Sequence, residues 1–63
     1  MENYKKYIGI NHEIRFGKPV IKGTRISVGD VLSWLSVGMT IEEIIEDFSQ
    51  LTKEQILACH AYA

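Results

Sequence analysis

Three observations on this sequence predict a mainly α fold: a three-helix bundle containing a helix-turn-helix, preceded by short N-terminal β-strands or a hairpin. First, one six-residue pattern occurs three times in the second half, as ISVGDV (26–31), MTIEEI (39–44) and LTKEQI (51–56). Second, apolar residues following the first two of these starts recur at helical spacing. Third, before residue 26 that spacing gives way to short β-branched and aromatic runs bounded by Gly, Asn and Pro. With 63 residues the chain is expected to form a single domain over 1–63. Within it, 1–26 is a β arm and 27–63 a tri-helical bundle.

The arm comes first. Tyr4 to Ile10 and Lys18 to Ile21 read as small strands. Pro19 lacks the N–H of a ladder bond, so its strand starts there or lies at an edge. Gly23 permits the reversal towards the first helix, because it takes a positive φ without steric cost. The turn GKPVIKGTRIS (17–27) is expected to expose Lys18, Lys22 and Arg25, with Thr24 and Arg25 tying it down by hydrogen bonds.

In each of the three repeats a Ser or Thr stands at the N-cap and an acid or amide three residues later. This is the capping box, in which two otherwise unpaired backbone N–H groups are satisfied reciprocally. Each also sets an apolar residue before the cap against one at the fourth helical position. Val28, Val31, Leu32 and Leu35 form the stripe of the first helix, and Ile41, Ile44, Ile45 and Phe48 that of the second. Gly38 stands where a left-handed C-cap is wanted. The third helix, Thr52 to Ala63, spreads Ile56, Leu57, Cys59, His60 and Tyr62 around its circumference. That distribution predicts contact on more than one side, with the core and with something else such as a second copy of the chain. The two helices joined by SQLT resemble a helix-turn-helix.

Charge divides the chain. Residues 1–29 carry six cations against two acids, +4, and residues 30–63 one cation against six acids, -5. A polyanion partner is favoured at the basic end, and a solvated charged surface is the plain alternative. No run approaches the roughly 18 apolar residues of a membrane span, and MENYKKYIGI lacks the apolar block of a secretory signal, so a cytoplasmic protein is expected. A lone Cys59 excludes an internal disulfide and is read as a small apolar residue on a helix. His12 and His60 are far apart, and Cys59 and His60 point to different faces, so no metal site is expected. His60 itself is read as a partly buried helix residue. GKPVIKGT lacks the spacing of a phosphate loop. No nucleophile has a base partner at a known spacing, so neither catalysis nor a cofactor is predicted.

The run GKPVIKGTRISV, followed by LSWLSVGMTIEEIIEDFSQLTKEQILACHAYA, resembles the small bacterial and archaeal family known as domain of unknown function 433. Its motif has the form GxPxIxGTRI, then an acidic EEI helix and an LTxEQI helix ending in A-Y-A. The resemblance covers residues 17–63. Ser27 stands where many members have proline, a change that preserves a helix start. It implies a winged or homeodomain-like helix-turn-helix domain, usually dimeric, of the kind found in antitoxins of type II toxin–antitoxin modules. The implied partners are a PIN-like ribonuclease toxin and the operator DNA of the module's own operon. Family members commonly continue beyond the A-Y-A helix, where a further segment engages the toxin, and this sequence ends at Ala63.

On the residues themselves, DNA contact is assigned to the cations Arg15, Lys18, Lys22 and Arg25 of the arm, doubled in a dimer. Lys53 and Gln55 at the start of the third helix join them, since Gln can pair with an adenine edge. Glu54 beside them would repel the backbone. Glu42, Glu43, Glu46 and Asp47 form an acidic face for a basic protein partner. Trp34, off the first stripe, is expected either to flank the core or to anchor an interface, and Tyr62 to be exposed unless a partner covers it. The competing readings are a protein-interaction module or a homo-oligomerisation domain that binds no DNA.

Overall fold

The computed structural model describes residues 4–63, so the first three residues of the expected arm lie outside the described residues. A 3-10 turn at Tyr4–Lys6 leads into β1, Ile8–Ile10, and β2 follows at Pro19–Ile21. Three helices complete the order: α1, Val28–Ser36; α2, Ile41–Asp47; and α3, Lys53–Tyr62. The predicted mainly α fold with a short N-terminal hairpin is what the chain adopts. The first strand is shorter than expected. Tyr4–Lys6 coils instead, because the Tyr7 N–H closes a turn on the Tyr4 carbonyl at 2.9 Å and the Tyr4 ring packs edge-on against Tyr62 at 5.4 Å.

β1 and β2 pair antiparallel in the register Ile8 to Ile21, Gly9 to Val20 and Ile10 to Pro19. Pro19 opens its strand, the position its missing N–H allows. Successive side chains on β2 point to opposite faces. Ile21 enters the main core, while Val20 is buried on the other face in a hollow it lines with Ile10 and Ile14. An isolated bridge from Val20 to Ser27 then brings the chain back along β2 to the start of α1. Thr24 fixes that return: its hydroxyl donates to the Ile21 carbonyl at 2.9 Å and accepts from the Ile26 N–H at 3.0 Å.

All three helices begin with reciprocal capping boxes, on Ser27, Thr40 and Thr52. The fourth residue of each, Val31, Ile44 and Ile56, is fully buried, and the apolar residue before each cap, Ile26, Met39 and Leu51, belongs to or packs against the same core. The boxes thus aim each helix so that its first turn feeds the core. At the far end of α1, the Gly38 N–H donates to the Leu35 carbonyl and the Met39 N–H to the Trp34 carbonyl, both at 3.1 Å. With Gly38 at φ 97° this is the Schellman ending, a left-handed step that a β-carbon would oppose.

α3 explains its own lack of a stripe. It packs on α1, α2, β1 and the Tyr4–Lys6 turn, so Ile56, Ala58 and Cys59 are buried on several sides at once. Contact on more than one side is therefore satisfied within the chain. His60, expected to be partly buried, is exposed.

Candidate functional site

The cationic end of the molecule is built around one carboxylate. Asp30, third residue of α1, accepts the Ser27 N–H at 3.1 Å as part of the capping box, and the same oxygen accepts Arg15 Nη1 at 2.8 Å. Arg15 Nη1 also donates to the Arg25 carbonyl at 3.1 Å, so one guanidinium ties the loop after β1 to the turn before α1. Partial burial acts to raise the Asp30 pKa. The hydrogen bonds from Arg15 and Ser27 together outweigh it, and the carboxyl titrates below its ordinary value.

The loop that carries Arg15 has an unusual backbone. Arg15 (φ 52°), Phe16 (φ 58°) and Gly17 (φ 81°) are successive left-handed residues. A side chain at Gly17 is disfavoured by its φ of 81°, and its β-carbon would stand 2.9 Å from His12 Nδ1 and displace that exposed ring. Phe16, between the two, is 98 % exposed.

Lys18, Lys22 and Arg25 are exposed, but they do not form one continuous patch. Arg15 and Lys18 line a hollow with the first turn of α1 and with Tyr62, whereas Lys22 lines a second hollow with Gly9 and Ile10. The Lys22 stem lies across Gly9, close enough that a β-carbon there would meet its Cγ and Cε at 3.3 Å. Lys53 and Gln55 sit towards the opposite end of α3 from Tyr62, about 10–14 Å along the axis at 1.5 Å per residue. Lys53 is exposed. Gln55 is half-buried, and its side-chain oxygen is already occupied, accepting the Thr52 N–H at 2.8 Å.

The acidic residues are gathered better. Glu42, Glu43, Glu46 and Asp47 are all exposed on α2, Glu42 and Glu46 on the side opposite the buried Ile44 and Asp47 at the helix end. Glu43 also serves the fold, accepting the Thr40 N–H at 2.9 Å. Trp34 is half-buried and stacked on Phe48, centroids 4.5 Å apart and planes 11° from parallel, which clamps the end of α1 to the end of α2 at the rim of the core. Tyr62 is 37 % exposed and packs T-shaped against Tyr4. Cys59 is wholly buried, and its desolvation pushes the thiol pKa up to about 11.

Among the described residues no group of three or more His, Cys, Asp or Glu is placed to hold a metal ion. None of the helices there is long and apolar enough to cross a membrane. Sequence reasoning passed over two features of this end, the Arg15–Asp30 pair and the outward Phe16. A pair fifteen residues apart carries no local signal, and a lone aromatic outside any apolar periodicity gives no hint of its exposure.

Comparison with known proteins places these features in a family. Residues 8–63 match the family described as "Protein of unknown function (DUF433)". Among solved structures the chain is similar to a DUF433 member protein from Anabaena variabilis ATCC 29413, with a TM-score of 0.85 and 26% sequence identity. That similarity covers 97% of this chain and 64% of the other, so the chain spans less than two thirds of its relative's length. No curated protein matches the chain significantly.

Proposed function

The chain belongs to the DUF433 family, and from that premise we propose that it is a non-catalytic, antitoxin-like protein of a type II toxin–antitoxin module. In this reading it acts in the cytoplasm as a dimer, binding a PIN-like ribonuclease through one surface and operator DNA through another. The observation that carries the reading is the segregation of charge onto different elements. The outer face of α2 presents Glu42, Glu46 and Asp47 without any cation, while Lys18, Lys22 and Arg25 are exposed on the β1–β2 end. A ribonuclease needs a cationic groove for its RNA, and an acidic helix face is complementary to such a groove. The arm cations supply the phosphate contacts that position a protein on DNA.

The test is co-elution of the wild-type chain with the ribonuclease encoded beside it. Reversing Glu42, Glu46 and Asp47 to Lys should abolish the complex with the helical circular-dichroism spectrum unchanged. Glu43 is left intact because it caps α2. A complex that survives all three reversals rules this face out as the contact.

A second reading, an interaction module that binds no DNA, is favoured by a different observation. Arg15 is consumed by Asp30, and Lys18 and Lys22 line separate hollows. The two readings part in a titration of promoter duplex over a salt series. Specific contact predicts an affinity that falls steeply with salt, about 0.9 logarithmic units per phosphate contact for each tenfold rise.

A further inference from the structure

Phe16 adds nothing to the packing of the chain that carries it, since its side chain is 98 % exposed. Its backbone, at φ 58° and ψ 34°, lies in the left-handed region that a bulky residue disfavours. Hydrogen bonds on both sides of Phe16 hold the loop in this shape. The Gly17 N–H donates to the Ile14 carbonyl and the Lys18 N–H to the Arg15 carbonyl, each at 3.1 Å. On its other side Arg15 is fastened to Asp30 and to the Arg25 carbonyl. The ring is therefore held outward on a fixed mount, at a position where glycine would satisfy the backbone better. A side chain that strains the fold without filling space in it has its use outside the chain.

The surroundings indicate what that use is. Residues 11–25 carry a net +3, but Arg15 is engaged by Asp30 and Lys22 lines a separate hollow, so the free cation nearest Phe16 along the chain is Lys18, exposed two residues on. An outward aromatic beside an exposed cation suits duplex DNA, whose phosphate takes the cation and whose base steps take the ring as a wedge. We propose that Phe16 is a wedge inserted between base steps of duplex DNA, with Lys18, two residues on, meeting an adjoining phosphate. The inference rests on the operator-binding reading and adds to it a contact with the bases themselves, which the cations alone do not provide.

The experiment is a fluorescence-anisotropy titration of a labelled duplex covering the promoter of the chain's own gene, with wild type, Phe16→Gly and Phe16→Trp. Loss of the inserted ring predicts that Phe16→Gly binds about fivefold more weakly, or weaker still. The slope of log affinity against log salt stays unchanged, because no cation is removed. Phe16→Trp restores affinity, and the thermal midpoint of Phe16→Gly equals or exceeds that of wild type. Equal binding by Phe16→Gly and wild type overturns the inference and leaves operator binding standing; no binding by wild type at any salt removes both. A lowered midpoint for Phe16→Gly places the ring in the fold and also overturns it. So does unchanged DNA affinity together with loss of a co-eluting protein, which makes Phe16 a protein contact.

Discussion

Arg15 reads as a free cation in the sequence, yet the fold commits it to Asp30 and to a backbone carbonyl. Asp30 in turn serves a cap and an ion pair through one oxygen. Replacing it by Asn should lower stability by about 1–2 kcal/mol in urea denaturation, the sum of a weakened cap and a largely solvated ion pair. The pH dependence has a definite sign. The folded pKa of Asp30 lies below its unfolded value of about 3.9, so its contribution is complete above that pH and is lost as pH falls through the folded value. Asp30→Asn should therefore flatten the acid limb of the stability profile. Cys59 behaves oppositely. Its folded pKa of about 11 exceeds the unfolded value, so the stabilisation it links to is present below about pH 8.5 and declines as pH rises towards 11. Ellman's reagent at pH 8 should find no reactive thiol until the chain is unfolded; rapid labelling of the native protein would contradict the burial of Cys59.

The helical elements were the most legible part of the chain because their signals are local. A hydroxyl and an acid or amide three residues apart satisfy each other across one turn, and the structure forms that box at Ser27, Thr40 and Thr52 alike. Thr40→Ala and Thr52→Ala should each cost about 1 kcal/mol, and the double variant about their sum. A clear departure from additivity would show that α2 and α3 are coupled through their starts. The arm was legible only in outline. Tyr4–Lys6 has strand composition, but its conformation is decided by the Tyr62 ring at the other end of the chain. The spread of apolar residues on α3 is equally non-local. It results from burial against four neighbours, which spacing alone does not distinguish from an outside partner. For the candidate site, the sequence revealed how many cations there are and on which half they lie. The placing of Arg15 and Lys18 in one hollow and Lys22 in another, and the outward Phe16, follow from the path of the chain around β2, which no periodicity encodes.

At the scale of the whole molecule, the radius of gyration is 10.8 Å, close to the roughly 10.6 Å of a compact chain of this length. A domain this small has only about 3–9 kcal/mol of stability, so the loss of one large core side chain is critical. Ile44→Ala, at a position with no exposure, should cost about 2–5 kcal/mol and leave much of the population unfolded at 37 °C by circular dichroism. Within that narrow margin the chain keeps an all-acid face on one helix and a strained aromatic on a cationic loop. These features are expensive for the fold and suited to partners. The central claim is that α2 neutralises a cationic ribonuclease, and the most direct measurement is hydrolysis of a fluorogenic RNA by the neighbouring gene's product, titrated with this chain. The account predicts that activity falls to zero at a fixed stoichiometry and returns when Glu42, Glu46 and Asp47 are reversed to Lys. Undiminished hydrolysis at saturating wild-type chain would contradict it.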